Sequence, residues 1–214
     1  PLAVHCADFS IYIDALDAVI EAAGLCQERL FLFGHSMGGH LALRYAAWRP
    51  SHSLGVVLSA PMMAPPVMPV WLIRGFSSFL IGMGLGHSYP PFYQVPELDQ
   101  MRHYRPENKL TRWSQGYESQ FLWFDDMPEL RRSGPTIGWV NAAYRSCSQC
   151  TLHADWLRSI EVPVIAFVAG DEKIVSASAT DFALPFLSKL ERHDFAEARH
   201  ELLHELPEVT DQLW

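Results

Sequence analysis

The first part of the chain alternates between segments with apolar residues at helical spacing and short runs that are continuously apolar. Residues 9–23 place isoleucine, leucine and valine three or four positions apart, which is typical of an amphipathic helix. Asp8 or Ser10 is suited to cap this helix and Gly24 is suited to end it. Residues 30–33 show no polar alternation, so we predict a strand that is buried on both faces of a parallel sheet.

The same alternation continues on both sides of a long, different segment. A helix is predicted at 40–48 and a buried strand at 54–58. Near the end of the chain, the pattern predicts a buried strand at 162–169, a helix at 177–190 and a short strand at 192–196. Helices that alternate with buried strands are typical of an α/β fold, with a mostly parallel sheet flanked by helices.

Residues 61–148 interrupt this pattern and are rich in proline, methionine and aromatic residues. Their most apolar part, 67–86, has the length of a membrane span, but Pro69 and four glycines are unfavourable in a spanning helix. We therefore predict an inserted helical cap that covers an apolar pocket. The core is then divided into a first part at 1–60 and a second part at 149–214.

The charge and composition exclude several classes of partner. Hydrophobic residues make up 49% of the chain and charged residues 19%, as in a globular protein. The formal net charge of −8 disfavours a nucleic-acid partner, because such binding needs a basic surplus to neutralise phosphates. It also disfavours purely electrostatic attachment to anionic lipid.

The cysteines and the first residues bear on the cellular location. Four cysteines are too few and too scattered for a disulfide scaffold, and Cys147 and Cys150 lack the second ligand pair of a typical zinc site. Unlinked thiols indicate a reducing compartment, and the first residues lack the basic and apolar regions of a signal peptide. We expect a cytoplasmic protein whose cap is a candidate for transient contact with a membrane surface.

The segment from Gly34 to Gly39 carries the main chemical signal, since it places Ser36 between a predicted strand and a predicted helix. A serine hydroxyl needs a base and an oxyanion-stabilising environment to act as a nucleophile. In a Gly-x-Ser-x-Gly turn, Gly34 and Gly38 permit the tight backbone and the Met37 amide is positioned as an oxyanion donor. The alternative is a glycine-rich turn with an inert serine.

The catalytic partners of such a serine follow it in the order acid, then histidine. His200 comes just after the last predicted strand and is the favoured base, with His204 as its nearest rival. The acid is Asp171 or Glu172, which lie side by side after the strand at 162–169. The residue types alone do not choose between these two carboxylates.

Together, the segments around Ser36, Glu172 and His200 resemble the lysophospholipase and monoacylglycerol lipase group of α/β-hydrolases, above all the bacterial lysophospholipase L2 type. The resemblance extends into the predicted cap, at 108–111 and 134–139. It implies an ester hydrolase with a Ser-His-acid triad, an acyl-enzyme, a lysophospholipid or monoacylglycerol substrate and no cofactor. The acid loop of this group usually reads Asp, a basic residue and two apolar residues, a register that favours Glu172 over Asp171.

The resemblance also implies several strands and an oxyanion loop before the serine. Only 35 residues precede Ser36, which is room for little more than one helix and one strand. The last helix of this group would also extend beyond Trp214. We therefore expect a fragment that is truncated at both ends, whose own activity is a separate question from that of the whole protein.

Two alternative functions are compatible with parts of the sequence. His200, Glu201 and His204 match the His-Glu-x-x-His pattern of zinc proteases, which requires a helix through 200–204 and a third ligand. The other alternative is a hydrolase-like binding protein that keeps the serine turn without turnover. The serine hydrolase is favoured because it explains three distant segments, whereas the zinc site explains one.

Overall fold

A parallel sheet of four strands forms the centre of the molecule. The computed structural model describes residues 2–67, 69–95 and 101–214. In chain order the strands and α-helices are β1 Leu2–Val4, α1 Ser10–Ala22, β2 Leu30–His35, α2 Met37–Trp48, β3 Ser53–Ser59, α3 Val70–Gly82, α4 Ser114–Asp126, β4 Arg132–Pro135, α5 Ile137–Gln149, α6 Ala154–Arg158, β5 Val164–Ala169, α7 Ala177–Ala183, β6 Leu190–Phe195 and α8 Pro207–Leu213. The central sheet has the order β2-β3-β5-β6, and all its neighbouring strands are parallel. The predicted α/β class is confirmed.

The chain crosses from β2 to β3 through α2. Two neighbouring parallel strands need such a crossover, which is usually an α-helix. Leu43 of α2, Leu58 of β3 and Ala166 of β5 are fully buried in one hydrophobic core beneath the sheet. This packing fixes the N-terminus of α2 at the carboxyl ends of the strands. Loops that follow β2, β5 and β6 therefore converge at the same edge of the sheet.

The prediction that the first strand is buried on both faces is wrong. Phe31 and Phe33 of β2 are 72% and 45% exposed, while the alternate residue Leu32 is buried. β2 is the outermost strand of the central sheet, and within the described residues Phe33 is stacked on Trp214 alone. Burial on both faces depends on helices that cover both sides, which the apolar run itself does not encode.

The predicted helix at 177–190 is also too long, and the strand after it begins earlier than expected. α7 ends at Ala183 because Pro185 lacks the amide hydrogen needed to continue an α-helix. The chain passes through a 3₁₀ turn at Leu184–Phe186 and enters β6 at Leu190.

The segment predicted as a cap contains α3, α4 and most of α5, together with a short strand that was not predicted. β4 pairs in parallel with β1 to form a second, two-stranded sheet. α3 packs against α5, where the Asn141 side chain donates a hydrogen bond to Ser77 Oγ at 2.9 Å. The division at 61–148 stays a prediction, since Ala142 and Cys147 of α5 belong to the same hydrophobic core as the sheet.

Within the apolar segment considered as a membrane span, the residues that the structure describes form the 13-residue helix α3. Among the described residues, no helix combines the length and the apolar character needed to cross a bilayer.

Candidate active site

Ser36 lies in a strained turn between β2 and α2. Its φ of 53° and ψ of −121° are in a region that side-chain-bearing residues seldom adopt. The turn is held by hydrogen bonds on both sides of the residue. Ser36 N donates to Ser59 O at 2.9 Å, and Ser36 O accepts from Gly39 N at 3.0 Å and Met62 N at 2.9 Å. The backbone around the serine is thus tied to the end of β3 and to the segment that follows it.

Close packing in this turn requires glycine at positions 34 and 39. A Cβ on Gly34 would lie 2.4 Å from Gly38 O, and one on Gly39 would lie 2.9 Å from Pro61 Cβ. A Cβ on Gly38 would meet no atom within 4 Å. Gly39 is a further position where a side chain would clash, because α2 crosses close to the segment after β3 there. The role of Gly38 in the turn stays a prediction.

His200 connects Ser36 to Glu172. Its Nε2 lies 2.8 Å from Ser36 Oγ and its Nδ1 lies 2.7 Å from Glu172 Oε2. The side chains of His200 and Glu172 are only 3% and 4% exposed, so both contacts are shielded from water. The loops after β2, β5 and β6 thus bring together three residues that are separated by up to 164 positions in the sequence.

The Glu172 carboxylate is held by backbone donors as well as by the histidine. Its Oε1 accepts hydrogen bonds from Ile174 N at 2.7 Å and Val175 N at 3.1 Å. Burial raises the pKa of Glu172, but the adjacent His200 and these two amides outweigh burial, so the net pKa is lowered. The carboxylate therefore stays ionised and fixed in orientation.

Asp171, the other candidate acid, points to a different set of groups. Its carboxylate contacts Lys173 Nζ at 2.7 Å, Arg199 Nε at 3.3 Å and a nitrogen of Arg112 at 3.8 Å. The hydrogen bond from Lys173 is the main reason why the pKa of Asp171 is lowered. Of the two adjacent carboxylates, Glu172 is the one that contacts His200.

Other histidines that the sequence places near Ser36 have different surroundings. His40 lies on the buried face of α2, with its Nε2 2.7 Å from Ser146 Oγ, and burial lowers its pKa to about 3. His35 lies against His200, with ring centroids 4.9 Å apart, and contacts Ser59 and Glu201. Neither ring contacts Ser36 through a hydrogen bond of the described structure.

A fully buried carboxylate, Glu205, anchors the His200 loop to the predicted cap segment. Its Oε1 accepts from Arg199 N at 2.9 Å and from Arg112 N at 3.1 Å, and its Oε2 accepts from Leu206 N at 3.1 Å. Thr111 Oγ1 adds a hydrogen bond to His204 O at 2.8 Å. The sequence does not single out Glu205 from the other acidic residues nearby, because its partners are up to 93 positions away.

The helix required by the zinc-protease alternative does not form. Leu202–His204 is a single 3₁₀ turn, so no α-helix carries His200 and His204. The pattern needs both histidines on one face of an α-helix, four residues apart. His204 instead lies beside Glu201, at 3.7 Å from Nδ1 to Oε2.

An apolar cavity of about 620 Å³ lies within the segment predicted as the cap. Prolines and aromatic or aliphatic side chains from α3, α5 and the loops between them form its wall, including Pro65, Phe76, Leu80, Tyr93, Trp139 and Tyr144. A cavity of this size and lining is suited to a hydrocarbon chain.

Comparison with known proteins places the chain in a family. The sequence model of the family Hydrolase_4, described as serine aminopeptidase, S33, matches residues 1–207. A probable lysophospholipase L2 of Haemophilus influenzae is 24% identical over 216 residues, covering 96% of this chain and 64% of the relative. The chain thus spans less than two thirds of the length of that relative.

Solved structures share the fold. A monoacylglycerol lipase of Paleococcus ferrophilus superposes with a TM-score of 0.65 and 21% identity, covering 96% of this chain and 72% of that one. A soluble variant of monoglyceride lipase from Saccharomyces cerevisiae, solved with a substrate analog, has a TM-score of 0.65 and 17% identity, covering 96% of this chain and 65% of that one. These likenesses establish the α/β-hydrolase fold. Since the family match extends over nearly the entire chain, the protein belongs to the Hydrolase_4 (serine aminopeptidase, S33) family of serine hydrolases.

Proposed function

We propose that the protein hydrolyses carboxylic esters, with Ser36 as nucleophile, His200 as general base and acid, and Glu172 as the carboxylate that orients His200. The observation that carries this proposal is the continuous contact from Ser36 Oγ through His200 to Glu172, at 2.8 and 2.7 Å. The shielding of His200 and Glu172 from water also supports the proposal. A protonated His200 forms next to Glu172 at a low cost in free energy only when both side chains are already fixed in position.

Each group has one task in the proposed reaction. Ser36 Oγ attacks the ester carbonyl carbon while His200 Nε2 accepts the hydroxyl proton. The Met37 amide, at the N-terminus of α2, donates to the oxyanion of the tetrahedral intermediate. Collapse of this intermediate expels the alcohol, which takes the proton from His200. Water then attacks the acyl-enzyme by the same steps, and Glu172 stays ionised throughout.

The proposed substrate is a lipid with one acyl chain, a lysophospholipid or a monoacylglycerol, and the chemistry needs no cofactor. The apolar cavity supports an acyl chain, as do the lipase and lysophospholipase relatives. Residues 61–148 would form the cap over the bound acyl chain. Trp71 and Phe79 of α3 are strongly exposed, which supports transient contact of the cap with a lipid surface.

Labelling with a fluorescent alkyl phosphonate tests the proposal, because the reagent reports an activated serine without requiring full turnover. The 214-residue chain should be labelled, and Ser36→Ala should abolish labelling. The conservative control Ser59→Ala keeps the nucleophile and should still be labelled. Absence of labelling in the correctly folded chain would instead favour a silent, hydrolase-like binding protein.

A series of esters with increasing acyl length tests the substrate. The rate should rise from short chains to long chains, and flotation with phosphatidylcholine vesicles should recover the protein with the lipid. A flat or short-chain preference would contradict the lipid assignment while leaving the serine chemistry intact.

A further inference from the structure

Next to the proposed triad, three potential metal ligands converge from two different elements. His35 ends β2, and Glu201 follows His200 in the loop after β6. One ligand atom from each of His35, His200 and Glu201 lies within 4.8 Å of the other two. The closest pair is His35 Nε2 and Glu201 Oε1, at 3.3 Å. Two imidazoles and a carboxylate at this spacing are a donor set that zinc prefers.

The surroundings of His35 orient one nitrogen towards this point. His35 Nδ1 lies 3.3 Å from Ser59 Oγ, whereas Nε2 is buried and has no hydrogen-bond partner in the described structure. Nε2 approaches Glu201 without the alignment of a hydrogen bond, although the atoms are close enough for one. A metal-binding histidine usually has its other ring nitrogen fixed by a hydrogen bond, as Ser59 Oγ fixes Nδ1 here.

The site combines one carboxylate with two imidazoles, so Glu201 supplies a negative charge for a bound cation. We propose that His35, His200 and Glu201 form a binding site for a divalent cation of the zinc class. Three protein ligands leave a fourth tetrahedral position for water.

Because the site shares His200 with the proposed triad, a bound cation would inhibit the reaction of Ser36. This consequence rests on the proposed function. Glu172 occupies His200 Nδ1, so only Nε2 is free to bind a metal. Nε2 is the same atom that lies 2.8 Å from Ser36 Oγ. A bound cation would therefore occupy the lone pair of His200 Nε2, which accepts the proton of Ser36 in the proposed reaction. Glu172 would support the metal-bound ring as it supports the free one.

Direct binding of Zn²⁺ to the purified 214-residue chain tests the site without reference to catalysis. Calorimetric titration should give one bound Zn²⁺ per chain. Loss of a ligand in His35→Gln or Glu201→Gln should weaken binding by about tenfold or more. Ser36→Ala should bind at least as tightly as the wild type, since it frees Nε2. Circular dichroism checks that each variant is folded.

Two histidine variants serve as matched controls. His193 forms an exposed pair with Glu191, at 2.8 Å, and His204 lies beside Glu201 but outside the proposed ligand set. His193→Gln and His204→Gln should therefore bind Zn²⁺ as the wild type does. The proposal is overturned if wild-type protein binds no Zn²⁺, if His35→Gln binds normally, or if His204→Gln loses binding.

A second arm follows the inhibitory effect. Zn²⁺ should slow phosphonate labelling of wild-type Ser36, a chelator should restore it, and Glu201→Gln should be labelled at a rate that Zn²⁺ does not change. Zn²⁺ binding without slower labelling would overturn the inhibitory effect. If wild-type protein is not labelled even without metal, the proposed function fails, whereas the titration still decides the metal site.

Discussion

Glu172 uses its two carboxylate oxygens for different tasks. Oε1 accepts two backbone hydrogen bonds, from Ile174 and Val175, and Oε2 contacts His200. Glutamate has one more methylene than aspartate, and its extra rotatable bond would let the carboxylate move. The two backbone donors remove that freedom, so the longer side chain is held as firmly as a shorter one would be.

From this division of tasks we predict that Glu172→Gln lowers the rate of ester hydrolysis by about 10²- to 10⁴-fold, because the amide cannot stabilise a protonated His200 and can hold the ring in the wrong tautomer. Asp171→Asn should change the rate by less than about threefold, since Asp171 contacts Lys173 and Arg199 instead. Initial rates with a chromogenic ester measure both variants. A larger loss in Asp171→Asn than in Glu172→Gln would show that the acid is misassigned.

At the scale of elements, local patterns predict some features well and others poorly. The extent of α1 follows from apolar spacing and from Gly24 after it, and β3 follows from a continuous apolar run. The Ser36 turn follows from glycines between a strand and a helix. The exposed face of β2 was missed because burial depends on what packs over a strand. The short sheet of β1 and β4 was missed because it pairs residues about 130 positions apart.

The candidate site divides in the same way. The sequence predicts Ser36 from its turn, and it predicts His200 from the order of serine, acid and histidine along the chain. The choice of Glu172 as the acid depends on a family resemblance. The roles of Glu205 and His35 could not be predicted, because a buried carboxylate and a partnered imidazole look in sequence like any surface acid or histidine.

The Glu205 anchor gives a prediction about the loop that carries His200. In Glu205→Gln the side-chain NH₂ group must face at least one backbone N–H donor. We therefore expect the free energy of unfolding to fall by about 1–3 kcal/mol. Displacement of His200 should also slow phosphonate labelling at temperatures where the fold is intact. Glu208→Gln, on the exposed start of α8, is the control and should change little. Normal labelling in Glu205→Gln would mean that the anchor serves stability alone.

At the scale of the whole molecule, the buried His40 links stability to pH. Burial lowers the pKa of His40 from 6.5 to about 3, so between these values the unfolded chain binds a proton that the folded chain does not. Stability therefore falls as pH decreases from 6.5 towards 3, by up to about 1.4 kcal/mol per pH unit from this residue.

The prediction is that His40→Gln flattens the pH dependence of the unfolding free energy in this window, whatever its effect at neutral pH. Denaturant unfolding at several pH values measures the slope. His103→Gln, at an exposed position, should leave the slope unchanged. Equal slopes for His40→Gln and the wild type would mean that His40 is already protonated in the folded protein.

The positive φ of Ser36 implies that the serine at this position makes the folded state less stable. Glycine adopts this conformation without strain, so Ser36→Gly should raise the unfolding free energy by about 1 kcal/mol, net of the greater freedom of glycine in the unfolded state. Ser36→Ala also lacks the hydroxyl but retains the strain, so it should show no such gain. Serine at this position therefore lowers the free energy of unfolding relative to glycine.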